Sequence, residues 1–117
     1  MGLGDRVLEL EDLMGFFGAE PVLDDTDVEW PYAGAAFVHH RADDMVWCWL
    51  APGEGDLALV WRQGETKRVE LSLSGYFKVQ LEFEAGARRL VAIPESNEKP
   101  PFSLQLSPHV FVSLGAA

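Results

Sequence analysis

TKRVELSLSGYFKVQLEFEAGARRLVAI, residues 66–93, carries the periodicity that decides the fold. Val69, Leu71 and Leu73 alternate with polar residues, and Phe77, Val79, Leu81 and Phe83 alternate with Lys78, Gln80, Glu82 and Glu84. A period of two is that of a strand with one buried face, and a one-residue slip would turn every side chain over. A two-residue Ala85-Gly86 turn pairs Leu81 with Leu90 and sets Glu82 opposite Arg89. On the other side, pairing Leu73 with Phe77 calls for a three-residue Ser74-Gly75-Tyr76 loop and brings Arg68 opposite Glu82. Each opposite-charge pair adds about 0.2 to 1 kcal/mol, enough to favour a register without dictating the fold.

Upstream, Gly64-Glu65 reads as a type II′ turn that pairs Val60 with Val69 and Ala58 with Leu71 and leaves Trp61 opposite Arg68. In that register Leu57, Leu59 and Trp61 share an outer face, one candidate for covering by a helix. Val46-Trp47-Cys48-Trp49-Leu50 is apolar on both faces, the pattern of a central strand covered above and below. Strand-like runs recur near 34–40, 45–51, 56–62, 66–73, 76–84, 88–93, 102–106 and 109–114. Their short spacings favour antiparallel neighbours, since parallel pairs need crossovers of a dozen or more residues. PESNEKPP, residues 94–101, has three prolines and reads as a surface loop.

The period is helical in one place only. Asp5 can cap a helix over residues 5–17, with Val7, Leu10, Leu13, Met14 and Phe17 on one stripe and Gly18 as the left-handed stop. An acidic connection, residues 18–33, follows, with room for a short extended piece. The expectation is one domain, 1–117, of α+β, mostly β class. An N-terminal amphipathic helix packs on a twisted antiparallel meander of about 7–8 strands, folded as a sandwich or partial barrel.

The 117 residues include 19 Asp plus Glu against 9 Lys plus Arg, a net charge of -10. Residues 1–30 hold nine acids and one base, net -8; residues 31–117 hold ten acids and eight bases, net -2. Such a balance disfavours nucleic acid and anionic membrane as partners, because both reward clustered Lys and Arg. No apolar run approaches the ~20 residues of a membrane span. MGLGDRVLELED lacks the basic start of an export signal, and a single cysteine fits a reducing compartment, so a cytoplasmic location is expected. Between apolar neighbours Cys48 reads as a small buried hydrophobe.

Chemistry-bearing motifs are missing. No serine sits in a nucleophile elbow and no glycine pattern cradles a phosphate or dinucleotide, so no enzyme activity and no cofactor are expected. His39, His40, Asp43 and Asp44 are residue types that bind metals, but adjacent strand residues face opposite ways; a polar hairpin with Asp43 and Asp44 in its turn is the simpler reading. His109 is distant in sequence and has no ligand spacing to them. Asp24, Asp25, Asp27 and Glu29 lack the glycine and the twelfth-position glutamate of a calcium loop, so no metal is expected.

The informative feature is the -8 segment ending in Glu29-Trp30-Pro31-Tyr32. Carboxylates beside large aromatics suit steering and anchoring of a basic protein, and Asp24, Asp25, Asp27, Glu29, Trp30 and Tyr32 are the candidate contact residues. By class-level analogy this is the composition of small inhibitors, such as immunity proteins that neutralise a toxin nuclease. Two other readings stand beside it: a small-molecule cavity lined by Trp47 and Trp49, and a structural homo-oligomer joined through an open sheet edge.

Overall fold

A computed structural model describes residues 8–23 and 27–115. Helix α1 (Leu10–Phe17) is followed by strands β1 (Val22–Leu23), β2 (Ala35–Arg41), β3 (Asp44–Ala51), β4 (Asp56–Gln63) and β5 (Thr66–Leu73). Then come β6 (Lys78–Glu84), β7 (Ala87–Ile93), β8 (Phe102–Ser107) and β9 (Phe111–Leu114). Two antiparallel sheets result, sheet A in the order β1-β2-β3-β4-β5 and sheet B in the order β6-β7-β8-β9. The class is α+β, mostly β, and neither sheet closes into a barrel.

The expected single meander is therefore two meanders, and the break falls between β5 and β6. Leu73 pairs with Leu57 in sheet A and Phe77 lies outside both sheets, so neither the 73–77 pairing nor the Arg68–Glu82 pair forms. The reason lies at Tyr76, which is buried where a hairpin loop would be exposed. Its N–H donates to Gly55 O in the β3–β4 turn, and its hydroxyl donates to Pro100 O at 2.6 Å. Those bonds draw the chain off sheet A and start the second sheet. Downstream the expected register holds: Leu81 pairs with Leu90, Glu82 with Arg89, and Ala85 and Gly86 both take positive φ, the signature of a tight two-residue turn.

The β4–β5 hairpin holds its expected register for two pairs only, Gln63–Thr66 and Arg62–Lys67. A bulge at Trp61/Arg62 then shifts the ladder, pairing Trp61 with Val69, Leu59 with Leu71 and Leu57 with Leu73. This overturns the outer placement of Leu57, Leu59 and Trp61. Leu57 and Leu59 are fully buried, and Trp61, Val69, Leu71 and Leu73 pack beside them on the same inward face.

Phe37, Val46, Cys48, Leu50, Leu57 and Leu59 from sheet A meet Leu90, Ala92, Phe102, Leu104 and Leu106 from sheet B in one core. Helix α1 begins at Leu10 with Glu9 as N-cap, shorter than the 5–17 expectation; Asp5 and Val7 lie outside the described residues. Asp12 accepts the Glu9 N–H at 3.0 Å, and Gly18 closes the helix at φ 67°. Leu13, Phe16 and Phe17 are buried, and Phe17 stacks on Phe37 with ring centroids 4.9 Å apart.

The end of the helix ties the sheets together. Phe17 O accepts the Nδ1–H of His39 on β2 at 3.0 Å, and Phe16 O accepts Nη1–H of Arg88 on β7 at 2.8 Å. The last carbonyls of a helix have no partner within it and carry partial negative charge, so these two donors complete it while bridging sheet A to sheet B.

Candidate protein-binding surface

The acidic connection is held at both ends. Within it β1 pairs with the start of β2, Val22 opposite Ala36 and Leu23 opposite Ala35, so the extended piece for which the sequence left room is a sheet strand. Asp24 and Asp25 lie outside the described residues. Asp27 and Glu29 are exposed. Trp30 is half-buried against the core, its indole N–H donating to Leu8 O at 2.6 Å, so this ring anchors the segment to the residues preceding α1. Tyr32 is 60% exposed.

Glu29 O accepts the N–H groups of Tyr32 and Ala33, and Pro31 O accepts that of Gly53 at 2.9 Å. The Tyr32 ring lies so close to Gly53 that a Cβ there would stand 2.6 Å from its Cδ1. A side chain at Gly53 would therefore force the Tyr32 ring to shift. The turn brings Glu54 and Asp56 to the same end of sheet A as Glu29 and Tyr32.

His39 and His40 take opposite faces, as strand parity demands. His39 is buried against the helix end, while His40 is exposed on the outer face of sheet A. Asp44 is not in the hairpin turn, which is formed by Ala42 and Asp43; it pairs with Arg41, and its Oδ1 accepts the Trp61 indole N–H at 2.9 Å. Among the described residues no three His, Cys, Asp or Glu side chains gather as a metal set. Cys48 is fully buried, and burial pushes its thiol up to about 12, which keeps it neutral.

β3 is central in sheet A, as its two-sided apolar pattern implied. Its rings stand differently from the expectation: Val46, Cys48 and Leu50 point into the core, so Trp47 and Trp49 point out of the sandwich, each half-buried. They do not line an interior cavity. The outer face of sheet B is mixed. It forms a groove of about 320 Å³ lined by Glu82, Arg89, Val91, Gln105, Phe111 and Ser113, with Arg89 Nη1 3.2 Å from Glu82 Oε1.

No family model matches the chain, and no curated protein matches its sequence. A match is found among solved structures, in a chain of the contact-dependent growth inhibition toxin–immunity protein complex from Klebsiella pneumoniae 342. The alignment covers 92% of this chain and 93% of that one at a TM-score of 0.77, with 15% sequence identity. The two chains share a fold.

Sequence reasoning missed Phe16, Arg88 and the outward Trp pair as parts of the architecture. Arg88 carried no distinguishing signal, because its partner is a backbone carbonyl 72 residues away. The Trp pair did carry one: a strand apolar on both faces presents its second face to something, and the described residues of sheet B and α1 cover only the first.

Proposed function

We propose that this chain is a non-enzymatic immunity-type protein that binds a toxin and neutralises it in the cytoplasm. The observation that carries the reading is the shared fold: nearly the whole chain superposes on a chain from a toxin–immunity complex. Its charge distribution supports a basic partner, since the segment through Glu29 holds most of the net charge of -10.

In this reading Asp24, Asp25, Asp27 and Glu29 draw in the Lys and Arg side chains of the toxin, and Tyr32 supplies a rigid aromatic contact. Trp30 serves from below, its ring holding the segment against the body. Blocking a basic active cleft requires no chemistry from the inhibitor, only complementarity and exclusion of substrate.

The test is growth. The polypeptide encoded by the reading frame adjacent to this gene is expressed under an inducible promoter, with and without this chain. Arrest that is relieved by co-expression is the expected result; arrest that persists despite soluble co-expression contradicts the proposal. Replacing Asp27 and Glu29 by Asn and Gln should weaken complex formation about tenfold and flatten its dependence on salt.

A further inference from the structure

The register of sheet A defines its outer face. One row runs across the strands through Val22, Ala36, Trp49, Ala58 and Ser72, and the next through Val38, Trp47, Val60 and Glu70. A third row is His40, Met45, Arg62 and Lys67. Seven of the nine residues in the first two rows are apolar, the exceptions being Ser72 and Glu70 on β5, where a solvent-facing antiparallel sheet would turn polar residues outward. Val22 is 68% exposed and Val38 37%, and the two indoles lie between them and β4. Contiguous apolar surface rimmed by polar groups marks a protein contact.

Charge at the rim identifies the occupant. Glu29, Glu54 and Asp56 stand at the Trp49 end, and no ion pair among the described residues involves them. At the other end Lys67 Nζ lies 2.7 Å from Glu70 Oε1, and Lys67 together with Arg62 holds the Glu70 carboxyl below the usual carboxylate range. Of the two cations in that row only Lys67 is paired, whereas the acidic end gathers three carboxylates with no cation of the described residues paired to them. A second copy carries the same net charge of -10, which opposes its approach to this surface. A basic protein meets the demand directly.

We propose that the outer face of β2, β3 and β4, centred on Trp47 and Trp49, is the hot spot of the toxin interface, continuous with the acidic Asp27–Tyr32 segment. The partner surface it fits presents an apolar protrusion for the Trp pair and Lys or Arg side chains toward Glu29, Glu54 and Asp56. Charge governs encounter and the indoles govern residence, since aromatic anchors carry most of the affinity in such interfaces. This rests on the immunity reading above.

Calorimetric titration into this protein of the polypeptide encoded by the adjacent reading frame, once that polypeptide is shown to arrest growth, tests it. Trp47→Lys and Val38→Lys are each expected to weaken binding by about 30-fold or more, while Gln105→Lys on sheet B stays within about twofold of wild type. Circular dichroism and light scattering accompany each variant. Val38 is exposed enough that its lysine variant folds even where the Trp47 variant does not. Wild-type binding that survives both sheet A substitutions overturns this interface and leaves the immunity reading standing; a wild type that does not bind overturns both. A wild-type dimer that Val38→Lys dissociates also overturns it, by assigning the face to a second copy.

Discussion

Sheets A and B are built alike, each an antiparallel meander whose inner face is Leu, Val, Ala and Phe, yet their outer faces differ in kind. Sheet B turns Glu82, Arg89, Ser103, Gln105 and Ser113 outward around Val91 and Phe111, with Arg89 and Glu82 paired across strands. Sheet A turns out Val38, Trp47, Trp49, Ala58 and Val60. A core needs only one apolar face per sheet, and the core of the described residues uses only the inner face of sheet A. The difference places the stabilising packing between the sheets and leaves the outer face of sheet A for the contact proposed above.

The largest effect should come from breaking the joint between the two. Phe17 stacks on Phe37, and its carbonyl binds His39. Phe17→Ala leaves a cavity where the helix joins the sheets and is expected to cost about 3 to 5 kcal/mol of stability, read from denaturant unfolding. Affinity for the proposed toxin partner, per folded molecule, should be little changed, which separates packing from the proposed contact.

Alkali should come next, through an inner-face group that sheet B lacks. Cys48 is neutral in the fold with its thiol pushed up to about 12, against 9.0 unfolded. The sign follows: the unfolded thiol ionises first, so the stability that Cys48 contributes is whole below pH 9 and lost as pH rises toward 12. By pH 11 the loss is roughly 3 kcal/mol, two pH steps above the unfolded value at about 1.4 kcal/mol each. Cys48→Ala should remove that part of the pH dependence, and a thiol reagent should label native Cys48 only as fast as the protein opens.

Tyr76 tests why the meander splits. Tyr76→Phe deletes the hydroxyl bond to Pro100 O and should cost about 1 kcal/mol, with the β5–β6 crossing intact because the backbone bond to Gly55 remains. The smallest effect belongs to the polar face: Glu82→Gln breaks an exposed pair with Arg89 and should change stability by less than about 1 kcal/mol.

Much of the architecture was legible from alternation alone, and the failures were local. The β6–β7 hairpin could be registered to the residue because a two-residue Ala85-Gly86 turn aligns the apolar faces and sets Glu82 opposite Arg89. The β4–β5 hairpin could not, because a bulge is an insertion without a sequence mark and it reversed the faces of Leu57, Leu59 and Trp61. The split at Tyr76 depends on carbonyls at Gly55 and Pro100, contacts that only the assembled sandwich brings within reach. The acidic segment was visible as charge. Its apolar neighbour on sheet A was visible only as a two-sided strand, which burial by another layer would have explained equally well.

Hydrogen–deuterium exchange of this protein, alone and with the growth-arresting polypeptide used to test the proposed function, bears most directly on the central claim. Added protection is expected over residues 27–41 and across β3 and β4, with β7, β8 and β9 unchanged. Protection confined to sheet B, with sheet A exchanging as in the free protein, would contradict it.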